Sequence, residues 1–591
     1  SNPLRFYVGR LPEFTKRAAT ANRDLQSLKT KFRRDAEGAV PATEMNITLP
    51  AVVNGQTMPG GVDRYHFKAR AGQRLTVAVS ARDLIPYLPD AVPGWFQASI
   101  SLYGPKGQEL QYADHFRFNP DPVLFYEISQ EGEYTIEIRD SIYRGREDFV
   151  YRMTVGELPC VTSLFPLGAP AGTQTAVELK GWNLPSPQLT LQEQAPGIHF
   201  LAVSNTGLAS WPFAVDILPE RLEQEPNDHP TNAQPVTLPL IINGRIEKPG
   251  DRDVFRFEGR AGSELVAEVF ARRLNSPLDS VLRLTDAAGH QLAYNDDYED
   301  KGSGMNTHHA DSFLKITLPT NGTYYLHLAD AQHQGGPEYA YRLRLSPPQP
   351  DFELRVAPSS VTLRGGVSVP LTVYALRKDG FTNEIVLALD QAPPGFSLSG
   401  GRIPANQDQV RVTVSSSSFA SKEPVPVSLE GRAFIQGRPV AHRAVPAEDM
   451  MQAFAYRHLV PAQELKVAVV GRWAGRSTVR LLGDTPVKIP AGGTVRVPIT
   501  GPFGLFENRV QLELSEAPEG ITLEKVESSR DGTEIVLRTD SAKVKPGLKG
   551  NLIVNAFATR AAGAGKAKAQ NNRQRTLFGT LPAIPFEVVA Q

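Results

Sequence analysis

Two stretches of this chain are variants of one another. "VDRYHFKARAGQRLTVAVSARDL" (62–84) and "RDVFRFEGRAGSELVAEVFARRL" (252–274) place Asp63 on Asp253, a spacing of 190 residues. The same spacing relates "GEYTIEIRD" (132–140) to "GTYYLHLAD" (322–330), and "DFVYRMTV" (148–155) to "EYAYRLRL" (338–345). A repeat of this length restricts the fold more than any local propensity, because both copies must be built from one pattern of elements. The copies differ in their middles. The first carries "IPYLPDAVPGWFQ" (85–97) and the second a longer acidic loop, and the two length differences cancel.

Within the repeats, apolar and polar side chains alternate. Tyr339, Tyr341, Leu343 and Leu345 share one face, as do Phe149, Tyr151, Met153 and Val155. Period two with Gly-rich turns predicts half-buried strands in antiparallel β-sandwiches. Downstream, "VLALDQAPPGFSLSG" (386–400) resembles "QLELSEAPEGITLEK" (511–525), with Gly395 on Gly520. Between the first two repeats, "PCVTSLFPLGAPAGTQTAVELKGWNL" (159–184) has the strand and turn rhythm of a small Ig-like module. The expected fold class is therefore all-β, a serial array of antiparallel β-sandwiches. The divisions are 41–157 and 221–347 for the two repeats, 158–220 for the small module, and 348–470 and 471–591 for two Ig-like sandwiches.

Residues 1–40 stand apart. "LRFYVGRLPE" (4–13) resembles "WPFAVDILPE" (211–220), the end of the small module. This predicts that residues 3–10 are the last strand of a domain truncated upstream, with upstream domains of the same polypeptide as partners. "KRAATANRDLQSLKTKFRRD" (16–35) has helix-forming composition with a thin apolar stripe, and is expected to be a helical linker.

Lys plus Arg equals Asp plus Glu at 63 each, so nothing in the totals predicts a nucleic-acid or anionic-membrane partner. Cys160 is the sole cysteine, which excludes an internal disulfide framework and any multi-cysteine zinc site. There is no apolar run long enough for a spanning helix, and no export signal is visible.

The repeat at 221–346 resembles the bacterial pre-peptidase C-terminal (PPC) domain. The likeness rests on "EPND" at 225–228, "GDRDVFRF" at 250–257, "LDSVLRLTDAAGHQLAYNDD" at 278–297 and "NGTYYLHL" at 321–328. The first repeat resembles a degenerate copy, and 159–220 resembles the IPT/TIG subclass of Ig-like domains. Such arrays are similar to segments of large exported bacterial proteins. The resemblance implies a jelly-roll-like sandwich without catalytic activity, often trailing a secreted peptidase, with a relative in clostridial collagenases that binds collagen. It also implies calcium held by the acidic segment before the sandwich and an acidic turn, here Glu223, Glu225, Asn227, Asp228, Asp251 and Asp253.

The residue types suit that ion. Glu223 and Glu225 share one side of an extended strand, as do Asp251 and Asp253. Two unit charges about 4 Å apart repel by roughly 4 kcal/mol at an effective dielectric near 20, so gathered carboxylates need a counter-cation or stay apart. Calcium takes hard oxygen ligands in loose geometry, and no nitrogen or sulfur set for zinc is present. The alternative is a solvated acidic linker whose carboxylates pair with Arg252 and Arg256. The first repeat lacks the set: Ala36 and Gly38 replace oxygen donors and Gly61 aligns with Asp251, which predicts no calcium there. Asp279, Asp296, Asp297 and Asp311 read equally as a second ion site or a solvated loop. His308 and His309, adjacent in sequence, are expected on a surface loop.

No Gly-x-Ser-x-Gly elbow, His-Glu-x-x-His motif or phosphate-binding Gly-rich loop occurs, so no enzyme activity is expected. "GAGKAKAQNNRQR" (563–575) reads as a hairpin loop. Tyr87, Trp95 and Phe96 lie in the Pro-rich insertion of the first repeat, either as a ligand-binding aromatic set for polysaccharide or extracellular protein, or as a plug against a neighbouring domain. The expected function is a calcium-stabilised spacer or binding segment of a larger exported protein, secreted, periplasmic or on the cell surface. The alternative is an accessory region of a secreted peptidase or other hydrolase that contributes substrate binding.

Overall fold

The computed structural model describes residues 6–16, 43–87, 94–192, 194–202, 210–300, 302, 310–417, 423–452, 456–472, 479–500, 510–529, 532–559 and 575–591. The expected helix beyond Lys16, together with Ala36, Gly38, His308, His309 and residues 563–574, lies outside them. Among the described residues the regular elements are strands, with one 3-10 turn at Arg272–Leu274. No helix among them is long and apolar enough to cross a membrane.

The first sandwich contains β1 (Glu13–Thr15), β2 (Thr43–Asn46), β3 (Ala51–Gln56), β4 (Val62–Ala69), β5 (Arg74–Ser80), β6 (Ala98–Tyr103), β7 (Glu109–Ala113), β8 (Val123–Glu127), β9 (Gly132–Asp140) and β10 (Val150–Gly156). They form two five-stranded sheets, β1-β3-β10-β5-β8 and β2-β4-β9-β6-β7. Alternation sends one face of each strand inward: Tyr65, Phe67, Val77, Ile136, Tyr151 and Met153 belong to one buried core. The small module follows, with β11 (Cys160–Phe165), β12 (Gly168–Pro170), β13 (Thr175–Trp182), β14 (Gln188–Leu191), β15 (Gly197–Ala202) and β16 (Ser210–Asp216) in sheets β11-β13-β14 and β12-β16-β15.

The second sandwich comprises β17 (Glu220–Leu222), β18 (Gln234–Pro235), β19 (Leu240–Arg245), β20 (Arg252–Gly259), β21 (Glu264–Phe270), β22 (Ser280–Asp286), β23 (Gln291–Asn295), β24 (Phe313–Thr317), β25 (Gly322–Asp330) and β26 (Ala340–Ser346). Its sheets run β17-β19-β26-β21-β24 and β18-β20-β25-β22-β23, which repeats the first sandwich strand for strand. The parallel pairs recur too: β1 with β3 and β2 with β4, then β17 with β19 and β18 with β20.

These three modules share one compact unit, Leu4–Pro348 with Met450–Arg457. Their joints are made by arginines. The Arg74 guanidinium lies 3.9 Å from the centre of the Trp182 ring, and Arg245 lies 3.9 Å from that of Phe165 while pairing with Glu178 at 2.7 Å. Arg117 pairs with Glu338, which ties the first sandwich to the second. Leu274 and Ala340 of the second sandwich sit in the core of the small module.

The aromatic insertion corrects one expectation. Phe96 is 3% exposed and stacks on Phe149, so it is a core residue rather than part of a binding surface. Trp95 and Tyr87 are half-buried, and Arg82 covers the Trp95 ring at 4.8 Å. The three therefore do not form an exposed platform.

The other unit, Gln349–Asp449 with His458–Gln591, has two apolar cores. One gathers Phe352, Leu371, Ile385, Val412 and Val467, and the other Ile489, Val497, Ile535, Val554 and Phe586. Gly395 and Gly520, matched in the sequence, both take left-handed backbone at φ 84 and φ 89. The two cores are joined by backbone pairing of Ser368 with Thr580 and by Asn551, whose side-chain amide donates to the Gly400 and Arg411 carbonyls.

Candidate metal centre

The segment after β16 is held against the second sandwich by an ionic clamp. The carboxylate of Glu220 accepts from Arg342 of β26 and, at 2.8 Å, from the side-chain amide of Asn243 of β19. Three residues on, the Glu223 amide donates to the Asn243 carbonyl at 2.9 Å. This fixes where the acidic stretch begins. Asn227 then anchors its end, because its carbonyl accepts the Val254 amide at 3.0 Å and its own amide donates to Glu225 Oε2 at 3.0 Å.

Opposite lies the start of β20. Alternation turns Asp251 and Asp253 inward at 3% and 0% exposure, while Arg252 and Arg256 point out to solvent. Neither arginine pairs with the acids; Glu225 is exposed and Glu223 half-buried. Asp251 Oδ2 accepts the Glu247 amide at 2.7 Å, and Asp253 Oδ2 accepts from the Tyr341 hydroxyl. Gly244 makes room for that phenol: a Cβ there would lie 2.3 Å from the Tyr341 oxygen and 2.8 Å from Glu223 Cβ.

What remains is a set of oxygens aimed at one another. Carboxylate oxygens of Glu223, Glu225 and Asp253 all lie within 4.8 Å of each other. Asn227 Oδ1, Asp251 Oδ1 and Asp253 Oδ1 are buried without any hydrogen-bond partner. Buried polar atoms normally have partners, and three orphaned oxygens beside an acidic group are the kind of donor a hard cation takes. Burial, then the Glu225 charge, pushes the Glu223 carboxyl up to about 7. Burial, followed by the charges of Glu223, Asp251 and Glu225, holds Asp253 well above the usual carboxylate range despite the Tyr341 bond. Burial and then the charges of Asp251, Asp228 and Glu247 also raise Glu225, against the Asn227 amide. Asp228 is half-buried at the rim.

The first sandwich solves the same problem differently. Glu13 pairs with Arg152 at 2.7 Å and accepts from Asn54 at 3.0 Å, repeating the Glu220 clamp. Three residues on, the Lys16 amide donates to the Asn54 carbonyl at 2.9 Å, which makes Lys16 the structural counterpart of Glu223. Asp63 is the counterpart of Asp253: its Oδ2 accepts the Tyr151 hydroxyl at 2.7 Å. Its Oδ1, the oxygen left orphaned in the second sandwich, accepts the Lys16 ammonium at 2.5 Å. That ammonium also donates to the Gln56 carbonyl at 3.0 Å. Lys16 and Glu247 carry no site role in the sequence reading, and Tyr341 appears there only as a core-facing strand residue. Counting three places beyond the matched "LPE" motifs would have found Lys16.

The second acidic cluster does not assemble. Asp311 accepts the backbone amides of Ala271, Arg272 and Arg273 and pairs with the Arg273 side chain at 2.7 Å. Asp121 does the same for Ala81, Arg82 and Asp83, so this aspartate fastens a turn in both sandwiches. Asp279 accepts from Gln332 at 3.3 Å, while Asp296 and Asp297 lie on the loop after β23. Among the described residues, Glu223, Glu225 and Asp253 form the one convergent acidic set.

Parts of the chain match known proteins. Over 119 residues the chain is 38% identical to a probable subtilase-type serine protease of Deinococcus radiodurans, a match covering 20% of this chain and 15% of that relative. The pre-peptidase C-terminal domain of a Bacillus anthracis collagenase aligns over 20% of this chain and 99% of its own, at 12% identity and a TM-score of 0.15. A periplasmic inhibitor of g-type lysozyme from Aeromonas hydrophila aligns over 20% of this chain and 98% of its own, at 15% identity and a TM-score of 0.14. Residues 251–330 match the family model of the bacterial pre-peptidase C-terminal domain. The second sandwich is a member of that family.

Proposed function

We propose that this chain is a non-catalytic, modular region of a larger exported protein, and that its second sandwich binds one calcium ion that stiffens the junction with the small module. The ligands are Glu223, Glu225, Asn227 Oδ1, Asp251 and Asp253, with Asp228 at the rim. One observation carries the reading: two aspartates in matching places share a tyrosine partner, and the oxygen that meets an ammonium in one meets nothing in the other. Hard oxygens in this number suit calcium better than magnesium, which demands tighter octahedral geometry and keeps its waters. The ion joins the segment after β16 to β20, so its effect is mechanical rather than chemical. Isothermal titration of the chelated chain should show one calcium site, abolished in Glu223→Gln/Asp253→Asn. Titration heats indistinguishable between the two proteins would refute it.

A second reading is favoured by the match to the subtilase-type protease: the chain is the accessory region of a secreted peptidase, contributing substrate binding. Mass spectrometry of the intact native polypeptide tests this, since the reading requires peptidase-domain peptides in the same molecule.

A further inference from the structure

Lys16 and Glu223 occupy one structural position with opposite charge. The second sandwich gathers three carboxylates, from Glu223, Glu225 and Asp253, and the charge of Asp251 acts on all three. The first keeps Asp63, has Gly61 where the second has Asp251, and sets a single positive charge against the aspartate. Both partners are largely withdrawn from water, at 14% and 1% side-chain exposure. An ammonium on a four-carbon stem is a compact point charge that reaches a site from outside and brings its own charge balance. It also fills the space where an ion would sit.

We propose that Lys16 is a tethered counter-ion, which closes the first sandwich against its leading segment at any metal concentration. The two sandwiches are then joints of different kind, one locked by the chain itself and one closed by a divalent cation. Metal depletion loosens the segment before β18 and leaves the segment at β1 in place. The half concerning the second sandwich rests on the calcium reading above; the half concerning Lys16 does not.

Hydrogen exchange on the full chain, followed by mass spectrometry in calcium and in chelator, separates these. In the unaltered chain, chelation should speed exchange across 220–228 and leave 13–16 and 51–56 unchanged. Lys16→Met keeps most of the stem and removes the charge, stranding a buried Asp63. Exchange at 13–16 should then rise on the order of a hundredfold, equally with and without calcium. Adding Asp63→Asn to Lys16→Met removes the stranded charge and should restore most of the protection. Wild-type protection in Lys16→Met would overturn the proposal, as would calcium protection of 13–16 in the unaltered chain. Failure of Asp63→Asn to rescue would show that Lys16 acts by packing and would also overturn it. If 220–228 ignores calcium while Lys16→Met opens 13–16, the calcium reading fails and the tethered counter-ion stands.

Discussion

Asp253→Asn should change stability in opposite directions depending on whether calcium is present. The substitution keeps the shape of the side chain and an acceptor for the Tyr341 hydroxyl, and removes one buried charge. Without metal that charge is a liability, since carboxylate oxygens of Glu223 and Glu225 lie within 4.8 Å of it. At that separation each ionised pair repels by roughly 3 kcal/mol at an effective dielectric near 20. Glu223, pushed up to about 7, and Asp253, held well above the usual carboxylate range by burial and its acidic neighbours, both take up protons in the chelated chain, so the realised relief is smaller. We expect Asp253→Asn to stabilise the chelated protein by about 2 kcal/mol, which raises the melting temperature of a cooperative unit this large by about 4 °C. With calcium at 100 times its dissociation constant, the native protein gains about 2.7 kcal/mol that the variant lacks. The two melting curves should therefore change order between chelator and calcium in scanning calorimetry. Equal destabilisation of the variant in both conditions would refute the reasoning, because Asp253 would then be a structural acceptor with no cation to hold.

Three other outcomes follow from the same geometry. Calcium affinity should rise with pH and fall by about tenfold or more per unit below about pH 7, because the ion must displace protons that burial and the neighbouring carboxylates place on Glu223 and Asp253; titration calorimetry at two pH values reads this. Gly244→Ala drives a Cβ into the Tyr341 phenol and should cost about 1–3 kcal/mol together with much of the calcium response, measured by thermal melting with and without the ion. Asp311→Ala frees three backbone amides and unpairs Arg273 on one side, and should cost about 3–5 kcal/mol equally in calcium and chelator.

The repeat and the period-two alternation made the sandwich pair legible, because spacing and periodicity are properties of the chain itself. The acidic stretch was legible for the same reason: Asp251 and Asp253 are paired by the pleat that sets the core face of β20. Lys16 was not, since the leading segment and the sandwich repeat at different spacings, and following the second hides the first. Aligning the leading segments on their own shared motif brings it into register with Glu223, and the backbone bond to Asn54 bears that register out. Phe96 was misplaced because an aromatic in a Pro-rich insertion looks the same in sequence whether it faces solvent or packs on Phe149. Asp311 resembled a ligand because capping of backbone amides across forty residues leaves no local signature.

A crystal structure from calcium-containing solution, with anomalous differences recorded, tests the central claim most directly. It should show one strong peak among Glu223, Glu225, Asn227, Asp251 and Asp253, and none beside Lys16 and Asp63. Water or empty density at the first position, with Glu223 and Glu225 turned out to solvent, would contradict it.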